Sequence, residues 1–421
     1  MHGAQSGGSI VFLGVYVQAG ARQGVALALA LAVGAAVSLG ITRFAYGLLL
    51  PAMREDLGWT YTLAGAMNTA NAMGYLMGAM LFPWGMRRFG PAALLRWGAL
   101  AATVFMALSG FFTDPAVLLA QRLLAGVASA SVFVAGGFLA ARLGARDPQR
   151  AGWLLGLYYG GTGLGISISA LLVPWALQEA QGQAHGWRYA WWLMAAVCLA
   201  GSLLLRWPAR AMADAPLPAT SSPAHAVPLA WRPLFFGLAG YGMFGVGYIG
   251  YMTFVVALLR AQGNSVDAIS LFYAVLGVSV MVSSRVWARL LDREQGGRAM
   301  ALLNALLGFA TLLPAVSDNY AVLMLSGVVF GGVFLSIVAA STAMVRHNLP
   351  QAQWASGISA FTVVFAAGQI AGPTMVGWIA DGAGGLERGL LVSALALWLA
   401  ALLAWRQQPL AHSQMKTPMS T

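Results

Sequence analysis

Apolar residues run through the chain in blocks of about twenty, separated by short stretches that gather charge and proline. The blocks fall at 24–50, 61–83, 92–112, 115–141, 152–176, 189–206, 233–258, 267–288, 298–315, 320–345, 353–379 and 388–405. A helix rises 1.5 Å per residue, so about 20 apolar residues cross a hydrocarbon core about 30 Å thick. Each block therefore predicts one membrane-spanning helix, and the fold class is an all-α polytopic membrane protein. The longest stretch without such a block is RWPARAMADAPLPATSSPAHAVPLAWRP, Arg206 to Pro233, rich in Pro, Ala and Ser, which reads as a linker. This predicts an N-terminal tail (1–23), a six-helix bundle (24–206), a linker (207–232), a second six-helix bundle (233–406) and a C-terminal tail (407–421). The apolar patch Ile10 to Gln18 has no Lys or Arg before it, so a cytoplasmic tail is expected there rather than a signal peptide.

The two halves repeat. A shift of 205 residues lays LGITRFAYGLLLPAM (Leu39 to Met53) over FGVGYIGYMTFVVAL (Phe244 to Leu258), matching Gly40 with Gly245 and Tyr46 with Tyr251. It also lays PAVLLAQRLLAG (Pro115 to Gly126) over YAVLMLSGVVFG (Tyr320 to Gly331), and Arg88 over Arg293. One offset at three places predicts two pseudo-symmetric bundles, the plan of transporters whose substrate site lies between the repeats near the bilayer midplane.

Composition agrees: 59% of the 421 residues are hydrophobic and only 8% are charged, far from a soluble domain. The net charge of +11 would admit a nucleic acid partner, but the basic residues are scattered singly through short loops. They set topology instead. With both termini on one side, that side holds 17 of the 23 basic residues and the other holds four, beside eight of the twelve acids. Basic residues accumulate on the cytoplasmic side, so both termini are expected in the cytoplasm. Trp59, Trp84, Trp175, Trp187, Trp207, Trp231 and Trp405 fall near block ends, where an interfacial belt would sit. Cys198, the single cysteine, lies inside a block and reads as packing.

Polar residues inside a span are costly unless they face protein or a wet cavity, so their positions point to a solute path. Span 2 carries Asn68, Asn71 and Tyr75 three and four apart, hence on one face. Span 1 has Arg43 and Tyr46 in the same relation. Arg122 stands in span 4, Tyr158 and Thr162 in span 5, Tyr248 and Tyr251 in span 7, Tyr273 in span 8, and Thr362 and Gln369 in span 11. These form the candidate substrate site, with packing as the plainer reading for Tyr158, Tyr248 and Tyr273 and self-bonding to the helix for each threonine.

The remaining two basic residues, Arg43 and Arg122, fall inside spans, where insertion costs about 2.5–3.5 kcal/mol each. All twelve acids map to loops or span ends. A cationic path without a counter-acid suggests that the missing anion is the solute, gripped by guanidinium forks that match a carboxylate. Three alternatives stay open: Arg122 tied to backbone carbonyls, Arg43 snorkelling to the outer interface, or Arg43 paired with Glu55 or Asp56. The five histidines lie in tails, loops or a span end, so proton coupling would ride on the solute's carboxyl or on Arg122 with water; exchange or facilitated passage needs neither. No metal cluster, nucleotide loop or nucleophile and base pair is legible, so neither cofactor nor enzyme activity is expected. An exporter of drug-like or neutral solutes, and a channel or receptor on the same scaffold, are the rival readings.

PWGMRRFGPAA (Pro83 to Ala93) resembles the cytoplasmic gate loop of the major facilitator superfamily, keeping Arg88 and Gly90 but placing Arg87 where that family has an acid. ARLLDREQGGR (Ala288 to Arg298) is similar to its second copy, with Asp292, Arg293 and Arg298. LLAQRLLAG (Leu118 to Gly126) resembles the family's helix 4 pattern around Arg122. The likeness extends over about residues 24 to 406, and GITRFAYGLLLPAM followed by REDLGW looks most like a bacterial branch. It implies a secondary transporter in the bacterial inner membrane, acting as a monomer, with gating at the five loop residues just named and a cavity lined by spans 1, 2, 4, 5, 7, 8, 10 and 11.

Overall fold

The computed structural model describes residues 22–147, 149–212 and 230–410. Most of the predicted linker (213–229), the first 21 residues and everything from 411 onward lie outside the described residues. Twelve long helices account for the blocks: α1 (Arg22–Leu57), α2 (Tyr61–Phe89), α3 (Pro91–Leu108), α4 (Pro115–Arg146), α5 (Ala151–Glu179), α6 (Trp187–Leu204), α7 (Phe235–Ala261), α8 (Val266–Val286), α9 (Arg298–Val316), α10 (Tyr320–Asn348), α11 (Trp354–Ala380) and α12 (Gly385–Trp405). Among the described residues eleven stretches are apolar and long enough to span a membrane by length and composition; α2 is the long helix left out. Its Asn68, Asn71, Arg87 and Arg88 dilute the apolar signal. Several helices outrun their apolar blocks. α1 passes Pro51 and ends only at Gly58, whose left-handed backbone (φ 64°) lets Trp59 N–H reach back to the Arg54 carbonyl. The block marks the stretch facing hydrocarbon, whereas the backbone runs on until a cap stops it.

The helix packing obeys the 205-residue repeat. In the first half α2 packs on α4, α3 on α4 and α6, and α1 on α5; in the second α8 packs on α10, α9 on α10 and α12, and α7 on α11. The halves meet where α2 crosses α11 and α5 crosses α8, two contacts exchanged by the same symmetry, and where α1 lies against α7. Trp84, Trp175, Trp207, Trp231 and Trp405 are exposed at helix ends, as a belt requires. Trp59 and Trp187 depart from that expectation: both are buried, and the Trp187 indole donates to Asp56 at 2.5 Å.

The end of the molecule that carries Asp56 and Asp381 is sealed by backbone contact. A Cβ on Gly65 would lie 2.2 Å from the Pro373 carbonyl oxygen, and one on Gly377 would lie 2.2 Å from that of Tyr61. A Cβ on Gly47 would likewise lie 2.7 Å from the Met252 carbonyl oxygen. Polar groups lock these crossings. Asn68 donates to Thr253 Oγ1 (2.8 Å), Thr69 to the Ile370 carbonyl (2.7 Å), Tyr273 to the Phe44 carbonyl (3.0 Å) and Arg260 to Glu55 (3.1 Å).

Asp381, just past α11, accepts from the backbone N–H groups of Tyr61 (2.7 Å) and Thr62 (2.9 Å) and from the Thr62 hydroxyl (2.6 Å). One half thus caps a helix of the other, where free N–H groups and the helix dipole favour an anion. Partial burial opposes the charge, but those hydrogen bonds and the nearby Arg54 outweigh it and hold the carboxyl below its ordinary value. Because the sealed form lowers this pKa, the cap is complete above the ordinary carboxylate range and is lost as pH falls through the lowered value. Acidifying that face is therefore expected to lengthen the distance between spin labels on the adjoining ends of α2 and α11. Asp381→Asn should lengthen it at neutral pH and remove its acid dependence; a pH response unchanged in the variant would exclude Asp381 as its source.

Candidate functional site

The centre of the site is made by a break in α1. Residues Ala36–Ile41 form a π-helical turn, with Thr42 N–H bonding to the Val37 carbonyl (3.1 Å) and Phe44 N–H to the Leu39 carbonyl (3.1 Å). Within that turn Gly40 presses on α5: a Cβ there would lie 2.6 Å from Gly165 Cα. Such turns are rare and recur at functional sites because they re-aim the side chains that follow. Here the residue that follows is Arg43. Its side chain, only 3% exposed, enters a cavity of about 480 Å³ between the halves.

That cavity is bounded by α1, α2, α4 and α5 of the first half and α7, α10 and α11 of the second. From Arg43 and Gln369 it runs toward the end that carries Arg22, reaching Phe82, Phe138 and Ile358, while the cross-half bonds described above seal the opposite end. Among the described residues Arg43 is the only charged one lining it. The guanidinium donates through Nη2 to Gln369 Oε1 of the other half, its Nε has no partner, and its Cζ lies 5.8 Å from the Tyr75 ring. Neither snorkelling nor pairing with the outer acids is what the structure shows, since Glu55 holds Arg260 and Asp56 holds His185.

Of the residues named from sequence, Arg43, Tyr75, Tyr248, Thr362 and Gln369 meet in this cavity. The others stand behind its walls or at the crossings. Tyr46 donates to the Ala64 carbonyl (2.9 Å), Tyr158 to the Phe133 carbonyl (2.6 Å) and Tyr273 to that of Phe44, while the Tyr251 hydroxyl pairs with Ser326 (2.8 Å). Asn71 donates to the Arg122 carbonyl (3.1 Å), Asn68 bridges the halves, and Thr162 is fully buried where α5 meets α1. Arg122 lies outside the cavity: Nη1 donates to the Thr42 carbonyl (2.8 Å), Nη2 to Asn68 Oδ1 (3.1 Å), and the guanidinium covers the Tyr46 ring at 5.0 Å. It ties α4 to the broken turn of α1, and this is the backbone-carbonyl alternative weighed for it.

At the Arg22 end Arg88, Asp292, Arg293 and Arg298 are all exposed, and Gly90 turns the chain with φ 75°. Arg88 sits over Phe89 and Arg298 over Trp405. The ion pairs found among the described residues do not include Asp292.

The cavity is mostly aromatic, and sequence reasoning passed over most of these rings. Phe44, Phe82, Phe133, Phe138, Tyr159, Phe244, Phe334 and Phe365 join Tyr75, Tyr248 and Tyr241, a further polar position of span 7. One signal was available: Tyr241, Phe244 and Tyr248 are spaced three and four apart on α7 and so share a face.

The family model described as "Uncharacterised MFS-type transporter YbfB" matches residues 35–405. The chloramphenicol resistance protein of Streptomyces lividans is 28% identical over 385 residues, 87% of this chain and 93% of that one. Among solved structures, the nucleoside transporter NupG superposes with a TM-score of 0.69 at 13% identity, covering 92% of this chain and 99% of NupG. A bacterial homolog of the human lysosomal transporter Spinster, inward-facing and occupied, superposes at 0.67 with 14% identity, covering 93% and 98%. At such identities the two structures speak for the fold alone.

Proposed function

The chain belongs to the major facilitator superfamily of membrane transporters, and we propose that it carries a small organic anion through the central cavity by alternating access. One observation carries the reading: among the described residues the cavity's only charged group is Arg43, buried at 3% exposure against a neutral glutamine. A cation withdrawn from water without a counter-charge costs free energy, and a bound carboxylate offsets that cost. With the basic, Arg22-bearing end in the cytoplasm of a bacterial inner membrane, the cavity opens inward and the glycine crossings near Asp381 close the outer face. The twelve-helix chain contains both halves of the path and acts as a monomer, in contact with lipid on all sides. Among the described residues no carboxyl or imidazole lines the cavity, so a coupling proton, where one is used, would travel on the solute's own carboxyl group.

Export of a neutral aromatic drug is the second reading, favoured by the relative from Streptomyces lividans, which is a chloramphenicol resistance protein. Counterflow in reconstituted vesicles separates the readings. Vesicles loaded with an unlabelled carboxylate are expected to accumulate the labelled one with saturation. Counterflow of chloramphenicol with none of any anion would establish the second reading and end the first; unsaturable conductance would indicate a channel, and binding without flux a receptor.

A further inference from the structure

The second-half wall of the cavity is a stack of rings. Phe365 lies 5.3 Å from Phe244 at an interplanar angle of 12° and 5.6 Å from Tyr248 at 16°, and Phe334 continues the stack 5.9 Å beyond Tyr248 at 9°. Three helices, α7, α10 and α11, supply these four near-parallel rings. An aliphatic solute would be served as well by Leu or Val. A ring stack adds a directional contribution, since aromatic pairs in offset or edge-on contact gain about 0.5–1.5 kcal/mol beyond their buried area.

The same cavity holds donors without acceptors. The Arg43 Nε is buried and unpartnered, and among the described residues neither the Tyr75 nor the Tyr248 hydroxyl has a hydrogen-bond partner. Three helices thus bring a guanidinium and two phenols to one cavity, and a carboxylate is an acceptor for all three. Charge restricts the solute further. One cation compensates one negative charge, and a second would lie against the electronegative faces of the rings. A neutral aromatic molecule would leave Arg43 uncompensated, and a cationic one would meet it as a like charge. The cavity, at about 480 Å³, is within the range of roughly 300–1,000 Å³ that encloses drug-sized ligands.

From this geometry we infer that the solute is a planar aromatic monocarboxylate, its carboxylate held by Arg43, Tyr75 and Tyr248 and its ring laid on the Tyr248–Phe365 wall. The inference rests on the organic-anion reading and narrows it. Thermal-shift titrations of the purified full chain test both, with 2-naphthoate, benzoate, cyclohexanecarboxylate, benzamide and succinate as probes. Cyclohexanecarboxylate is the stringent one, since it keeps the charge and ring size and is the more hydrophobic. The two aromatic acids are expected to bind tightest, with benzoate about three- to tenfold tighter than cyclohexanecarboxylate. Phe365→Leu should abolish that difference without weakening cyclohexanecarboxylate, and benzamide and succinate should shift the melting little. Equal binding of benzoate and cyclohexanecarboxylate, or a preference for succinate, would overturn the aromatic class while leaving an anion carrier in place. Benzamide binding as well as benzoate, or no carboxylate shifting the melting at all, would overturn the class and the anion reading together.

Discussion

Gly377→Leu is expected to abolish transport while leaving the chain folded. The Cβ of any residue there would lie 2.2 Å from the Tyr61 carbonyl oxygen, 2.7 Å from its carbon and 3.0 Å from Thr62 Cα. These are backbone atoms, so no rotamer change relieves the overlap. Non-bonded carbons settle at roughly 3.5–4.0 Å, so α2 and α11 must part by on the order of 1 Å. Asp381, one turn further on, would then lose its grip on the Tyr61 and Thr62 N–H groups. Overpacking of this kind costs about 1–3 kcal/mol, which shifts a two-state equilibrium roughly 5- to 150-fold away from the sealed form. All the atoms that meet the new Cβ belong to the other half, so each bundle keeps its own core. Spin-label distances across the Asp56 end should lengthen as counterflow falls at least tenfold, and Gly332→Ala, which meets nothing within 4 Å, should change neither. Cys198 is buried, so introduced cysteines can be labelled beside it. Normal counterflow by Gly377→Leu would show that this face need not close.

The second large effect separates the two membrane arginines. Arg43→Gln is expected to weaken binding of the stabilising carboxylate about 10- to 100-fold, since hydrogen bonds to charged groups contribute about 1.5–3 kcal/mol. Its melting temperature without solute should be unchanged or higher, because the variant removes a buried charge that, among the described residues, hydrogen-bonds a neutral Gln369 and faces no acid. Arg122→Gln should do the reverse. It leaves the Thr42 carbonyl and Asn68 without their donor, at about 1–3 kcal/mol for each unsatisfied buried group, so the unliganded chain should melt lower. Titrations of both variants with one carboxylate decide the matter. Equal loss of affinity in the two, or a collapse in stability of Arg43→Gln alone, would reverse the roles assigned here.

Much of this was legible before any coordinates. Apolar blocks counted the helices because a bilayer demands length and hydrophobicity together, and eleven of the twelve helices meet that test even by composition alone. The 205-residue shift matched residues that occupy equivalent helices, and the exchanged contacts of α2 with α11 and α5 with α8 follow from it. At the site the reading was partial for a physical reason. Polarity within a span marks a side chain that avoids lipid, and a helix crossing serves that purpose as well as a cavity does. Tyr46, Asn68, Asn71 and Thr162 were therefore selected by the same signal as Tyr75 and Gln369, although they lie at crossings. Aromatic rings carry the opposite ambiguity. Phe334 and Phe365 satisfy lipid, core and cavity alike, so residue type alone gives no sign that they line the cavity.

The sequence by itself determined that the chain spans a membrane many times, that its halves are related, and that two guanidinium groups lie at depth without an acid beside them. Those properties follow from residue type and spacing, which act locally. Only the tertiary structure decided that Arg43 faces the cavity while Arg122 is spent on the Thr42 carbonyl. That choice depends on the π-helical turn before Arg43, on Gly40 lying against Gly165, and on Gln369, 326 residues away in sequence. Helical periodicity states which residues share a face. Which face meets a neighbouring helix and which meets open space is set by the crossings of helices far apart in the chain.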